Sequence, residues 1–471
     1  MLFNSWQFVA LVLATFALYY LPLLRSLQCY ILIVASFVFY GIQNPCLLIL
    51  LIGSIALNAL FRFLLATKPI AIARFWLTLG VAANLGLLGF FKYSGLLFLT
   101  FLGEHAGSER SQFVLSIPLP IGISFFTFQG ISLLVDTLRA RSDDHLRGLL
   151  AENKSQHWID TTLFIAFFPQ LVAGPIVKAH DFMPQINQKM VSEIDWAFAY
   201  RTLVIGYFLK MVVADNLKMF TMWIEYPVFL TKSTLTLLAL LFGFSMQIFA
   251  DFAGYSLIAI SVSAIFGYRL SENFRFPYIS CSFSEFWRRW HISLSSFLKE
   301  YLYIPLGGNR SGRLRTYFNL IVTMSLGGLW HGAAWSYAFW GLAHGVALVL
   351  ERAFANVIPI EGKRSWKILG TMIVFSYVTF AWLLFKLPNF DHVLQFFGAM
   401  STNLSLPNEI GLMAKVFVYS MPVIVYHLWH LARERVQNEA GQHLESFAFG
   451  AMLFLIVTNS GPTADFIYFQ F

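Results

Sequence analysis

The stretch Leu235–Phe266, LTLLALLFGFSMQIFADFAGYSLIAISVSAIF, decides the class of fold. Its one charged residue is Asp251, and it exceeds the roughly 20 apolar residues with which a helix crosses a bilayer. Similar apolar runs recur along the chain, and we predict further helices over Ser5–Leu24, Gln28–Gly41, Leu47–Leu65, Phe75–Phe101, Ile117–Leu138, Trp158–Val177, Tyr200–Trp223, Leu320–Leu350, Ile368–Phe385, Lys415–Leu431 and Phe447–Asn459. The sequence therefore predicts an all-α polytopic membrane protein of roughly 11–13 helices.

The composition excludes an ordinary soluble domain. Of the 471 residues, 58% are hydrophobic and 12% are charged, whereas about a quarter of the residues of soluble domains are charged. The net charge of +8 fits Lys and Arg in short cytoplasmic loops. No basic arm or nucleic-acid module accompanies it, so we expect membrane lipid around the chain and no nucleic acid. Cys29, Cys46 and Cys281 lack disulfide or metal spacing, and we expect Cys29 and Cys46, which flank apolar helices, to serve in packing.

Basic residues are distributed unevenly between the first loops. Met1–Tyr20 lacks a basic leader and a small-residue cleavage site, so we expect it to be retained as the first transmembrane helix. With the N-terminus outside, the loops predicted to face the cytoplasm carry Arg25, then Lys68 and Arg74, then the basic residues of Arg139–Lys154. The loops predicted to lie outside carry fewer. The positive-inside rule therefore favours an N-terminus that faces away from the cytoplasm.

A charged, aromatic segment over Phe283–Tyr301 follows the long apolar run. On a helix, its aromatic and aliphatic residues fall on one face and most of its charged residues on the other. A helix so charged does not cross a bilayer, so we predict an interfacial or re-entrant helix. His291 falls on the apolar side beside Trp290, where its imidazole needs a hydrogen-bond partner or a polar cavity.

The segment LGGLWHGAA at Leu326–Ala334 places a second histidine, His331, within a predicted transmembrane helix. An ionisable side chain at membrane depth is costly and marks a candidate functional residue. The small residues around it allow close approach of another helix or a thin ligand. For both histidines, the alternative is a packed side chain that bonds a neighbouring helix. His344 is expected on a different helix face, and His427 and His430 lack a carboxylate or cysteine nearby in sequence, so we predict no metal site.

Six short motifs carry a resemblance to a known family. They are PIGISF at Pro120–Phe125, FPQLVAGP at Phe168–Pro175, DFAGYS at Asp251–Ser256, EFWRRWHISLS at Glu285–Ser295, YLYIPLGGNR at Tyr301–Arg310 and GGLWHGA at Gly327–Ala333. With these motifs the chain resembles the membrane-bound O-acyltransferase family, and within it the bacterial branch typified by the membrane subunit of alginate O-acetylation. The signature core covers about residues 117–345 of what we expect to be a single domain over residues 1–471.

This resemblance implies a ring-like bundle of helices around a membrane-traversing cavity, and an O-acyltransferase activity. It implies that His331, in the Trp-His-Gly motif, is the catalytic residue and that His291, in the Arg-Arg-Trp-His motif, is its companion. From the resemblance we expect acetyl-CoA as a cytoplasmic thioester donor, with no permanently bound cofactor. The expected acceptor is an extracytoplasmic polysaccharide, either an exopolysaccharide such as alginate or cellulose, or peptidoglycan. A periplasmic SGNH or esterase-like partner and a place in the bacterial inner membrane are also expected.

Imidazole chemistry agrees with such an activity, because a group with a pKa near neutrality can take a proton from an attacking hydroxyl. No serine or cysteine stands in a recognisable nucleophile motif. This favours direct transfer to the acceptor hydroxyl, and an acyl-histidine intermediate stays open. Two other functions also stay open: a D-alanyl, lipid or protein acyltransferase of the same family, and a transporter or flippase of lipid-linked sugars. We find no inverted repeat between the two halves, which weighs against the transporter.

Overall fold

A computed structural model of the chain describes residues 1–42, 45–102, 116–150, 153–172, 174–354, 364–433, 439–464 and 466–467. Every regular element within these ranges is a helix, and no strand is present in them. The predicted all-α class is therefore confirmed.

The described ranges contain α-helices from Trp6 to Thr458. The first are α1 (Trp6–Tyr19), α2 (Gln28–Gly41), α3 (Pro45–Thr67), α4 (Ile70–Leu88), α5 (Ser94–Leu102), α6 (Ile123–Arg139), α7 (Lys154–Ala166), α8 (Phe168–Leu171), α9 (Ala179–Phe182) and α10 (Trp196–Tyr207). They are followed by α11 (Asp215–Thr221), α12 (Thr234–Ile265), α13 (Phe283–Arg289), α14 (Ile292–Leu298), α15 (Arg313–His331), α16 (Trp335–Phe354), α17 (Arg364–Lys386), α18 (Phe390–Thr402), α19 (Ile410–Arg433) and α20 (Glu439–Thr458). Turns of π-helix at Gly89–Tyr93 and Phe208–Ala214 join α4 to α5 and α10 to α11, and a third, Lys299–Tyr303, extends α14.

Seven helical stretches in the described ranges are long and apolar enough to cross a membrane. They are Pro22–Gly41, Pro45–Thr67, Ile70–Phe101, Trp196–Ile224, Thr234–Ile265, Arg364–Lys386 and Ile410–Ala432. The chain is therefore a multi-pass membrane protein, as its composition predicts.

Two helix predictions are wrong in a way that matters for the candidate site. The helix predicted over Leu320–Leu350 is two helices, because α15 ends at His331 and α16 begins after a short turn. The amphipathic helix predicted over Phe283–Tyr301 breaks at His291 into α13 and α14. The 13-residue helix α18 is absent from the predicted set.

The described chain divides into two compact units. Unit 1 comprises Met1–Thr202 and Ile258–Ser271, and unit 2 comprises Leu203–Leu257 and Glu272–Phe471. Both candidate histidines belong to unit 2. The expectation of a single domain over residues 1–471 stays a prediction, as does the ring-like arrangement.

Buried polar groups hold the helices of unit 1 together. Arg62 on α3 is 1% exposed, and its guanidinium donates to the carbonyl oxygens of Leu149, at 2.6 Å, and His157, at 3.1 Å. The amides of Asn58 on α3 and Asn84 on α4 bond each other twice, at 3.2 and 2.9 Å. Such bonds satisfy, within the protein, polar groups that lipid cannot solvate.

Close packing of α15 on α16 positions His331 in unit 2. A Cβ atom on Gly328 would overlap the carbonyl oxygen of Tyr337, and one on Gly341 would overlap that of Met324. Both positions therefore require glycine, as small-residue interfaces between membrane helices generally do. The antiparallel hairpin that results places the last turn of α15 beside the first turn of α16.

Candidate active site

His331 is the last residue of α15 and is 3% exposed. The helix stops where Gly332 turns to an extended backbone with φ −156°, at a point where a side chain would strike the ring of Tyr337. The imidazole lies among aromatic rings, with centroid distances of 5.2 Å to Trp330 and 5.3 Å to Trp340. His331 is therefore a helix-terminal residue inside a largely apolar shell.

His291 occupies a sharp corner between α13 and α14. Its backbone is left-handed, with φ 43° and ψ 54°, and its side chain is fully buried. The ring of Phe252, on α12, meets the imidazole edge-on at a centroid distance of 4.6 Å. His291 lies outside the candidate membrane spans, and burial lowers its pKa to about 3 because apolar surroundings disfavour the imidazolium. At neutral pH, His291 is therefore a neutral imidazole.

The break in the predicted helix at His291 has a local cause. Backbone groups on both sides of the corner bond to the segment that precedes α13. The N–H of Arg275 donates to the carbonyl of Arg289 at 2.9 Å, and the N–H of Ile292 donates to the carbonyl of Asn273 at 3.0 Å. These two bonds take the place of backbone hydrogen bonds that a continuous helix would make at His291. The hydrophobic pattern of the sequence gives no sign of them.

The structure brings the two predicted histidines together. The ring centroids of His291 and His331 lie 5.9 Å apart, and the ring planes meet at 45°. Trp330 contacts both rings, at 5.9 Å from His291 and 5.2 Å from His331. The two imidazoles are therefore near neighbours, although they come from different helices. Their catalytic roles stay predictions.

A third buried histidine, His344 on α16, belongs to the same aromatic cluster. We predicted that His344 lies on a different helix face from His331, within one continuous helix. The hairpin instead brings α16 back against α15. Trp340 links the two, at 4.8 Å from His344 and 5.3 Å from His331. Among the described residues, neither ring nitrogen of His344 nor the indole N–H of Trp287 or Trp340 has a hydrogen-bond partner. A buried donor left unpaired costs about 1–3 kcal/mol, so the two indoles are candidate donors to a bound substrate.

A cavity of about 260 Å³, here called the His331 cavity, opens beside these tryptophans. His331 and Trp340 line it together with Lys299, Asn309 and Arg352. Arg352 donates to the side-chain oxygen of Asn309 at 3.2 Å. Arg352 is in the last turn of α16, whereas His331 lies beside the first turn of α16. The cavity therefore runs along the hairpin from a basic end, formed by Lys299 and Arg352, to the imidazole of His331. His291 is not among its lining residues.

A second cavity, of about 430 Å³ and here called the Ala333 cavity, adjoins the turn that follows His331. Its lining includes Ala333, Lys218 and an ion pair between Lys386 and Glu225, with 2.8 Å between nitrogen and oxygen. His331 lines the His331 cavity, and Ala333, two residues later, lines the Ala333 cavity. A group on either side can approach the end of α15.

Unit 2 also holds a buried ion cluster that the sequence revealed only in part. The Nζ of Lys210 lies 2.6 Å from a carboxylate oxygen of Asp215 and 2.8 Å from one of Asp251. Asp251 also accepts the backbone N–H of Ile467 at 2.7 Å. Lys210 therefore compensates the charge of the one acid in the long apolar run, as a buried carboxylate requires. The motif DFAGYS identified Asp251, but nothing in the sequence pattern named its partner.

Metal ligation has no evident support at the histidine pair. Within the described ranges, no third histidine, cysteine or carboxylate offers a ligand atom close to those of both His291 and His331. Imidazole rings with centroids 5.9 Å apart suit proton transfer, because each ring can accept, donate and orient hydrogen bonds.

The sequence is similar to those of known proteins. The sequence profile of the membrane-bound O-acyltransferase family matches residues 125–390. The chain is 38% identical to peptidoglycan O-acetyltransferase of Helicobacter pylori over 388 residues, which are 78% of this chain and 73% of that protein. It is 36% identical to the probable alginate O-acetylase AlgI of Pseudomonas aeruginosa over 442 residues, 90% of this chain and 81% of that protein. It is 31% identical to teichoic acid D-alanyltransferase of Bacillus subtilis over 290 residues, 58% of this chain and 70% of that protein.

Proposed function

This chain belongs to the membrane-bound O-acyltransferase family and is an acyltransferase, and we propose that it moves acetyl groups from a cytoplasmic thioester to an extracytoplasmic polysaccharide. The observation that carries the proposal is His331 in the lining of the His331 cavity, with the ring centroid of the buried His291 5.9 Å from its own. The similarity to O-acetylating enzymes extends further along the chain than the similarity to a D-alanyltransferase. Acetyl is therefore favoured over D-alanyl as the group transferred.

In the proposed reaction, an acceptor hydroxyl attacks the thioester carbonyl while the His331 imidazole takes its proton. A carbon–oxygen bond forms, the carbon–sulfur bond breaks, and the imidazolium returns the proton to the leaving thiolate. His291, neutral and with its ring centroid 5.9 Å from that of His331, orients and polarises the His331 imidazole. The indole N–H groups of Trp287 and Trp340 can donate to the thioester or to its arm.

The basic end of the His331 cavity supports acetyl-CoA as the donor. Lys299 and Arg352 can pair with the phosphates of coenzyme A, and Arg is well suited to phosphate oxygens. Arg313 and Arg315 start α15 on the same side, and Arg364 starts α17. Under the positive-inside rule this side faces the cytoplasm. α15, with 19 residues, then carries His331 about 28 Å away from it.

The Ala333 cavity supports an acceptor that approaches from the opposite side. It adjoins the turn after His331, at the end of the hairpin far from the basic residues. The acceptor we propose is an exopolysaccharide or peptidoglycan, reached through a periplasmic SGNH or esterase-like partner. This geometry agrees with a place in the bacterial inner membrane, where a cytoplasmic donor and an extracytoplasmic acceptor meet across one bilayer.

The experiment that tests the donor uses the purified protein in lipid nanodiscs with acetyl-labelled acetyl-CoA. Oligosaccharides of peptidoglycan and of alginate serve as acceptors, with and without the candidate partner, and both thiol release and labelled product are measured. Labelled product that depends on the protein is expected. Failure to release thiol with every acceptor and partner contradicts the proposal.

A comparison of two acyl donors tests whether the basic end of the His331 cavity binds the phosphates of coenzyme A. Changing Lys299 and Arg352 to glutamine is expected to raise the KM for acetyl-CoA about tenfold, the effect of losing roughly 1.4 kcal/mol of phosphate contacts. The KM for acetyl-pantetheine, which has no phosphate, is expected to stay unchanged. Arg364→Gln, a charge removed from the start of the neighbouring helix, is the matched control. An equal rise for both donors indicates damage to the cavity rather than loss of phosphate binding.

A further inference from the structure

The left-handed backbone at His291 must be held by its surroundings. A residue that carries a Cβ pays about 1–2 kcal/mol in this region, where φ is 43°. Such conformations persist only where neighbouring groups determine them. The chain therefore contains a group that keeps this corner from relaxing into a continuous helix or an extended strand.

Asn273 supplies the bonds that follow the corner. Its side-chain oxygen accepts the hydroxyl of Ser293 at 2.6 Å and the backbone N–H of Ser293 at 3.3 Å. Its backbone carbonyl accepts the N–H of Ile292 at 3.0 Å. Asn273 is 1% exposed, so no water competes freely for these bonds. The two residues after His291 are thus tied to one asparagine.

The same side chain reaches α12 with its other end. The amide N–H of Asn273 donates to the hydroxyl of Ser256 at 2.9 Å. One helical turn before Ser256 is Phe252, whose ring contacts the His291 imidazole edge-on at 4.6 Å. Residues four apart lie on one helix face. Asn273 therefore fixes the position of the His291 corner relative to the ring of Phe252, which packs against the His291 imidazole.

We propose that Asn273 is a positioning residue for acyl transfer, acting through His291. It is not among the residues that line the His331 cavity, so it has no contact there with a donor. Its amide bridges Ser256 and Ser293 and so keeps the two imidazoles 5.9 Å apart. The inference rests on the acyl transfer proposed above.

The first test is Asn273→Ala. It removes every side-chain bond of the bridge, and displacement of His291 by about 1 Å is expected to lower kcat about 100-fold. The KM for acetyl-CoA is expected to change little, because the cavity lining is intact. Asn58→Ala, which removes a buried asparagine from unit 1, is the control. It is expected to lower stability while kcat per folded molecule stays at the wild-type value.

Ser256→Ala cuts one end of the bridge, and Ser293→Ala removes the shorter of the two bonds at the other end. These variants test the proposal if Asn273→Ala does not fold. Each is expected to lower kcat by less than Asn273→Ala. A kcat at the wild-type value in both variants overturns the proposal.

A pH profile separates positioning from a general loss of stability. A protonated aspartic acid at position 273 has the shape of asparagine, with one oxygen to accept and one O–H to donate. The deprotonated acid has no hydrogen to donate to Ser256 and places a negative charge in a buried site, which disfavours the native position of the bridge. For Asn273→Asp, kcat per folded molecule relative to wild type is therefore expected to rise as the pH falls. A merely structural role changes the folded fraction with pH and leaves this ratio flat.

Chemical modification of His291 by diethyl pyrocarbonate gives a readout independent of activity. Full burial protects this imidazole in the wild type, and Asn273→Ala is expected to expose it to the reagent, as read by peptide mass spectrometry. Absence of acetyl transfer in the wild type refutes the proposed function, while the modification result still decides whether Asn273 holds His291. Continued protection of His291 in Asn273→Ala, with unchanged kcat, overturns the inference.

Discussion

Replacing His291 by asparagine is the change that separates a catalytic imidazole from a packed one. Asparagine tolerates the left-handed backbone that His291 adopts, at φ 43°, so the corner itself is expected to persist. The side chain is fully buried, and the ring atoms that are lost leave a small void against Phe252. Voids of this size cost about 1–2 kcal/mol. The protein is therefore expected to fold and accumulate normally.

Activity is expected to respond far more strongly than stability. A positioned acid–base or polarising group contributes about 100-fold or more to the rate, equivalent to roughly 2.7 kcal/mol in the barrier. We expect kcat of His291→Asn to fall by at least this factor, with KM for acetyl-CoA little changed. The assay is single-turnover transfer from labelled acetyl-CoA in nanodiscs, normalised to folded protein measured by thermal melting.

His427→Asn is the matched control for this measurement. His427 is 3% exposed, packs against the ring of Phe249 at 4.9 Å, and bonds the carbonyl of Val423 at 2.8 Å. Its loss is expected to lower stability by a similar amount without changing kcat per folded molecule. If His291→Asn keeps a kcat within about threefold of wild type, well short of the 100-fold expected of a catalytic group, the role assigned to His291 is refuted.

His291→Asn is also expected to change how the stability of the protein depends on pH. The folded state holds the pKa of His291 at about 3, below its ordinary value of 6.5, because burial disfavours the charged ring. Between these values the unfolded chain binds the proton and the folded protein does not, so stability falls as the pH drops from 6.5. His291→Asn lacks this loss. Its stability relative to wild type is expected to rise by up to about 1.4 kcal/mol for each pH unit below 6.5, and a constant difference across this range contradicts the burial argument.

Three further predictions concern other parts of the chain. His331→Ala is expected to lower acetyl transfer at least about 100-fold while the protein still accumulates in the membrane; near-normal polymer acetylation in cells contradicts its assignment. Gly148→Cys, at an exposed site in the loop after α6, is expected to resist a membrane-impermeant thiol reagent in intact cells, since this loop is predicted to face the cytoplasm; efficient labelling reverses the topology. Lys210→Met leaves the carboxylates of Asp215 and Asp251 without their cation and is expected to cost about 3–5 kcal/mol in a denaturation assay. Adding Asp251→Asn is expected to recover part of that loss, and an unchanged midpoint in Lys210→Met argues against the ion cluster.

The fold class follows from the sequence because lipid imposes a simple rule on a chain. A helix is the element that satisfies every backbone group within a short apolar segment, so hydropathy and length identify it. The predicted helix Leu235–Phe266 is observed as Thr234–Ile265, and Ile368–Phe385 is observed as Arg364–Lys386. Agreement to within a few residues at the ends is expected where no tertiary contact competes.

The candidate site followed from the sequence only in part. The motifs named His291 and His331, but the periodicity predicted continuous helices through both, and both lie where helices end. Bonds from a distant segment, such as Ile292 to Asn273, decide where α13 and α14 separate. The place of His344 in the cluster depends on the α15–α16 hairpin. Such contacts leave no periodic signal in the chain, so they become visible only in three dimensions.

The burial of His291 and His331 affects whether the thioester is attacked by an acceptor hydroxyl or by water. Water attacks a thioester as readily as a sugar hydroxyl does unless the site excludes it. His331 is 3% exposed and His291 is fully buried, and aromatic rings occupy the space around both. The proposed base, His331, is at a helix end inside such a shell, so it meets the groups that fill the His331 cavity rather than bulk solvent. In the proposed reaction, the acetyl group is therefore expected to stay on its thioester until an acceptor hydroxyl enters from the side of the Ala333 cavity.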